Sequence, residues 1–275
     1  MPNPLLPRHR LWPLPLAVAL CVCPLAHSAP QPVFKDKSGR VLTQKDLAGA
    51  TGQVNWETSS GKAVPAAARE LHEQGRQAGQ QGQTDAALDY FARAAKAAPD
   101  WPYPVYDAAF TFLLQRQYAK AFDLYRRADQ LAPRGFFTAK TALHSLRQER
   151  ERKIPEGTYF AYVSMEWMEP EKQSRLVRVM VDRAPQFAPA WKARALLEDD
   201  PARRLRFLER GLASDPDRET KGFLLLHKAT ALQDMGKGAE AKAILGTLAL
   251  DPASPLDIEV LAKFALAQGQ AQGKR

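Results

Sequence analysis

The chain has 275 residues, 45% of them hydrophobic and 25% charged, with 39 Lys+Arg against 30 Asp+Glu and two cysteines. That length holds one or two domains, and the apolar share is ample for a core. Both cysteines, Cys21 and Cys23, fall in the first thirty residues. Loss of that segment leaves no disulfide, thiol nucleophile or thiolate metal site.

Met1–Arg10 carries Arg8, His9 and Arg10 and no acid, Leu11–Ala26 is apolar, and "AHSAP" offers small residues for cleavage. This order predicts a secretory signal peptide over 1–28, cut after Ser28, and a periplasmic or secreted, bacterial protein. A membrane anchor needs roughly 20 apolar residues, whereas Pro13, Pro15 and Pro24 leave a clean run only from Leu16 to Cys23. Leu20 and Val22 precede the cysteines where a lipid-anchored protein would need a small residue. Cleavage takes two arginines and no acid, leaving 37 basic against 30 acidic residues, or +7. Without disulfides, an exported chain must be stable through its apolar core, which favours a sizeable regular fold.

The basic surplus raises the possibility of an anionic surface or polymer as partner. Yet "RQERERK" (147–153) and "ARRLRFLER" (202–210) mix their cations with acids or with apolar residues at helical spacing. They read as solvated helix faces, and no nucleic-acid partner is expected.

Residues 29–65 read as an N-terminal hairpin/cap segment. "VFKDKSGRVLT" reads as a β-hairpin turning at Ser38-Gly39, Thr43 and Asp46 are spaced to start a helical turn, and "GQVNWE" (52–57) reads as a third strand. The order resembles the opening of thioredoxin-like redoxins, but no C-x-x-C follows.

An internal repeat begins at about residue 66. Ala87, Phe91, Ala94 and Pro99 recur as Ala121, Tyr125, Ala128 and Pro133, every interval being 34 residues. Upstream, Leu71, Gly75, Ala78 and Gly82 are matched by Val105, Ala109, Phe112 and Arg116, again 34 apart. Small residues suit the crossing of two tightly packed helices: Gly75 and Ala109 on first helices, Ala87 and Ala121 on second. Phe91 and Tyr125 supply bulk that one hairpin cannot bury, so neighbours must stack. Pro99 and Pro133 stop the second helices.

This register resembles the tetratricopeptide repeat (TPR) family. The resemblance implies an all-α, TPR-like helical-hairpin solenoid over 66–268, with the β-hairpin segment before it and a capping helix at its C-terminal end. Regular repeats fall at about 68–101, 102–135 and 222–253. Residues 136–221 are irregular: Ile154-Pro155-Glu156-Gly157 interrupts a helix, "TYFAYVSMEWM" and "EKQSRLVRVMVDRA" read as two more, and a further pair runs from Pro185 to Pro216. Ser254-Pro255-Leu256-Asp257 resembles a capped helix start, the helix running to about Ala267 before a disordered tail, 269–275.

No catalytic constellation emerges, and neither an enzyme, a metal site nor a cofactor is expected. His72, His144 and His227 stand in separate repeats without a zinc-motif spacing. Glu166, Glu169 and Glu171, and likewise Glu198, Asp199 and Asp200, sit beside Pro170 and Pro201. There, acids complement the next helix's N-terminal dipole. No phosphate-cradling glycine loop or G-x-S-x-G elbow is present.

The TPR resemblance implies a non-catalytic scaffold that takes a peptide or a partner's helix into a concave groove lined by the first helices. By helical position the groove residues are Arg69, His72, Glu73 and Arg76, then Tyr103, Tyr106, Asp107 and Phe110. A basic strip beside an aromatic one suits a peptide with acidic and apolar groups. Equally, Tyr103, Tyr106 and Phe110 could be core. The carboxylate clamp of chaperone-tail receptors is not reproduced, since His72, Arg76, Asp107 and Phe110 stand at its positions.

Overall fold

The computed structural model describes residues 32–35, 55–58 and 63–272. Strands β1 (Pro32–Lys35) and β2 (Asn55–Thr58) pair antiparallel, with Val33 opposite Glu57 and Phe34 opposite Trp56. The first predicted strand thus pairs with the third. The turn at Ser38-Gly39, the Thr43–Asp46 turn and the leader through Ser28 lie outside the described residues.

Twelve helices follow among the described residues. They are α1 (Ala66–Gln80), α2 (Thr84–Ala97), α3 (Pro102–Leu114), α4 (Tyr118–Leu131), α5 (Ala139–Arg150) and α6 (Thr158–Ser164). Then come α7 (Pro170–Arg183), α8 (Ala188–Leu196), α9 (Pro201–Leu212), α10 (Arg218–Asp234), α11 (Gly238–Leu250) and α12 (Leu256–Gln272). Proline opens α3, α7 and α9 at positions where a missing N–H costs nothing. None of the described helices is long and apolar enough to cross a membrane.

The 34-residue register becomes two antiparallel hairpins, α1–α2 and α3–α4, stacked on one another. Their turns share a backbone requirement: Gly82 and, 34 residues on, Arg116 both take a left-handed conformation, at φ 77° and 58°. The glycine does so freely, while the arginine does so at a cost of roughly 1–2 kcal/mol. Where α1 crosses α2, a Cβ on Gly75 would stand 2.6 Å from Phe91 Cε1, so only glycine fits without displacing the ring. Ala87, Ala94, Ala109, Ala121 and Ala128 are fully buried, as are Phe91 and Tyr125 to within 1%. The repeating residues are consumed by stacking.

The mid-stack irregularity has a specific device at its centre. Helix α5 stops at Arg150, Arg152 turns left-handed, and the chain re-enters helix at Thr158. Glu149 points inward and accepts hydrogen bonds from the N–H groups of Tyr159 (2.6 Å) and Gly157 (3.0 Å), capping α6 from another helix. Burial raises its pKa, and the two backbone donors oppose that shift. "RQERERK" is therefore not wholly a solvated face, because Gln148 and Glu149 are both buried.

Beyond it, α8–α9, α10–α11 and α12 continue the stack. Helix α12 opens at Leu256, and the Ser254 hydroxyl donates to the Leu248 carbonyl (2.8 Å) rather than capping the new helix. The helix runs to Gln272, past Ala267 and into the predicted tail.

The solenoid also closes on itself. Helix α5 touches α10, two hairpins further on, and the link before α5 meets the start of α12. The Arg134 carbonyl accepts from Leu256 N–H (2.8 Å), its guanidinium donates to the Ser254 carbonyl (3.1 Å) and pairs with Glu259.

Candidate functional site

The groove residues predicted on the first helices divide into two groups. Arg69 and Glu73 are exposed on α1 and Arg76 is half-buried. Among the described residues neither guanidinium has a carboxylate partner, and Arg76 Nε is enclosed without an acceptor. Tyr103 is half-buried at the start of α3, edge-on to His72 at 5.9 Å between ring centres. These four residues remain at the surface.

The other four are structural. Tyr106 and Phe110 are 4% and 5% exposed, so they belong to the core and cannot present a surface to a partner. Phe136 and Phe137 close over Tyr106, and its hydroxyl meets Thr138 Oγ1 at 2.8 Å. Trp167 lies across Phe110. Burial pushes the Tyr106 phenol well above its usual pKa, with the Thr138 hydrogen bond acting the other way. His72 is buried, with Nε2 2.7 Å from Asp107 Oδ2, so this histidine is paired with an acid across α1 and α3. Their spacing of 35 is one residue off the repeat register, which places them side by side on neighbouring first helices.

Trp101 was missing from the predicted strip. It is half-buried and stacks edge-on against His72 at 4.9 Å, beside Tyr103. Its signal in the sequence is its place directly before Pro102, where the chain turns into α3.

A second concentration of chemistry lies deeper, between the halves of the stack. Lys192 on α8 has its ammonium 5.1 Å from the Phe223 ring centre and 5.9 Å from that of Tyr162. Burial lowers its pKa, but Tyr162, Asp217 and Glu219 outweigh that and hold it above the usual lysine value. His227 on α10 is pushed down from 6.5 to about 4, by burial first and then by Lys192 and Arg204. Asp257 on α12 is pushed up from 3.8 to about 6 by burial, which its hydrogen bond with the Ile258 N–H and the charge of Lys192 oppose. Burial and the neighbouring Asp217 hold Glu219 well above the usual carboxyl range.

No group of three or more His, Cys, Asp or Glu among the described residues could hold a metal ion. Glu169 and Glu171 lie exposed at the start of α7, and Asp200 caps α9, accepting from Arg203 N–H at 2.7 Å.

No protein-family model and no curated protein matches the chain. Among solved structures, MamA (residues 41 to the end) from Desulfovibrio magneticus RS-1 matches 67% of this chain and 94% of its own, at 15% identity and TM-score 0.32. TTC0263, a thermophilic TPR protein of Thermus thermophilus, matches 73% of this chain and 99% of its own, at 22% identity and TM-score 0.32. The TPR2AB domain of yeast Sti1 matches 72% and 98%, at 14% identity and TM-score 0.31. The architecture is established by the chain's own register and hairpins. Over its described helices the protein is a TPR-like helical-hairpin solenoid whose middle, around α5, meets its C-terminal helices α10 and α12.

Proposed function

We propose that the chain is an exported protein-interaction scaffold of the cell envelope, which captures an extended peptide carrying acidic and apolar groups. The capturing strip is Arg69, Glu73 and Arg76 of α1 with Trp101 and Tyr103 at the entry to α3. One observation carries this reading: two guanidiniums, on either side of His72 along α1, lack a carboxylate partner among the described residues, and His72 itself packs against the half-buried rings of Trp101 and Tyr103. Arginines and partly exposed aromatic residues gathered on one surface are the usual chemistry of a binding hot spot.

The test is peptide display against the chain from Ala29, followed by affinity measurement on the enriched sequences. Peptides combining Asp or Glu with aromatic or aliphatic residues are expected to emerge. The double variant Arg69→Glu/Arg76→Glu is expected to bind them at least about 10-fold more weakly, or roughly 1.4 kcal/mol. The variant should keep the helical circular dichroism and cooperative unfolding of the parent, and Arg69→Glu alone, at an exposed site, should leave its unfolding free energy within about 0.5 kcal/mol. Unchanged affinity would remove the strip from the binding surface. Enrichment of acidic sequences without aromatic preference would assign it instead to polyanion binding.

A further inference from the structure

The apolar core of this solenoid is not continuous. One cluster extends from Val105 to Ala190, and another from Ala229 to Ala262. A small third cluster, Ala188, Ala195, Leu208, Leu224 and Ala231, joins them through α8, α9 and α10. The second junction between the halves, where the chain closes, holds no such cluster among the described residues. It is built from Thr141, Asp217 and Glu219 on one side and from Arg134, Ser254 and Glu259 on the other.

At its centre two helix N-termini meet. Asp217 Oδ1 caps its own helix α10, accepting from the N–H groups of Glu219 (2.9 Å) and Thr220 (3.1 Å). Glu219 reaches across to α5, which has no side-chain cap of its own, and its Oε2 accepts from Thr141 N–H at 3.0 Å. The Thr141 hydroxyl lies 3.1 Å from Asp217 Oδ1 and 3.1 Å from Thr220 Oγ1. Yet Asp217 Oδ2 and Glu219 Oε1 are buried with no partner among the described residues. Closing therefore gains caps and an ion pair while burying two acid oxygens that meet no well-aligned donor among the described residues. Opening returns those oxygens to water and leaves both apolar clusters intact.

We infer that this junction is a latch, at which the two halves part as a unit while pivoting on the small apolar cluster of α8–α10. The inference stands apart from the peptide strip, which lies on α1 and α3. Two amides report on the latch. Thr141 and Leu256 lie in the first turns of α5 and α12, where a backbone N–H has no intrahelical acceptor. Their protection comes from Glu219 and from the Arg134 carbonyl, both across the junction.

Hydrogen exchange on the full chain decides the matter. Thr141 and Leu256 are expected to show a common protection factor, lower than that of amides in the cores of α2 and α4. Glu259→Gln weakens the Arg134 side and is expected to speed exchange at Thr141, on the other side, about 10-fold. Thr141→Val should do the same at Leu256, with core amides unchanged in both variants. Separate fraying of the two helix ends would give effects confined to the mutated side, and that result overturns the latch. So does protection of both amides equal to that of the cores.

Discussion

Tyr106→Ala is expected to lower the unfolding free energy by about 3–5 kcal/mol, the range for removing a large buried aromatic. The ring is enclosed by Tyr125, Phe136 and Phe137, and no rearrangement of α3 alone refills that volume. Tyr106→Phe keeps the packing and loses only the hydroxyl's contact with Thr138, so its cost should be about 1 kcal/mol. Urea unfolding of the three proteins checks both figures. A Tyr106→Ala variant as stable as the parent, but impaired in peptide capture, would return Tyr106 to the binding surface.

The second large effect is a pair of opposed proton linkages. His227 has a folded pKa of about 4 against the usual 6.5, so its contribution is present above 6.5 and is lost as pH falls towards 4. Asp257 has a folded pKa of about 6 against the usual 3.8, so its contribution is present below 3.8 and is lost as pH rises through 6. Each is worth at most about 3 kcal/mol, and between these limits they run in opposite directions. As far as these two groups go, stability of the parent should vary little from pH 4 to 6. Asp257→Asn leaves the histidine alone, and stability should fall by up to about 3 kcal/mol as the solution is acidified. His227→Gln leaves the carboxyl alone, and stability should fall by a similar amount as pH rises over the same window. Denaturation midpoints across that range check the signs. Two variants with parallel slopes would refute the assignment.

The repeat was legible because stacking makes a local demand at a fixed interval. Gly75, Ala87, Phe91 and their counterparts 34 residues on each answer one contact within or between neighbouring hairpins. The break at Ile154–Gly157 was legible for the same reason, as a Pro and a Gly inside a helical period. The fate of Tyr106 and Phe110 was not. They are covered by Phe136, Phe137 and Trp167, which belong to the segment that abandons the repeat, and no periodicity connects them to α3. Nor was the closure readable. Its partners, Thr141 with Glu219 and Arg134 with Glu259, stand 78 and 125 residues apart and are polar, leaving no hydrophobic pattern. Glu149 stands in a run that reads as a solvated helix face, and no motif or spacing singles out Glu219. Each caps a helix other than its own, which depends on where that second helix lands.

That the stack closes on itself is the claim on which the latch rests, and nuclear Overhauser contacts across the junction test it most directly. In the closed solenoid, Thr141 and Thr220 hydroxyl oxygens lie 3.1 Å apart, and Leu256 N–H is 2.8 Å from the Arg134 carbonyl. Cross-peaks linking Thr141 with Thr220, and Arg134 with Leu256, are therefore expected in the spectrum of the intact chain. A spectrum with the contacts within each hairpin but neither of these would describe an open superhelix and would contradict the account.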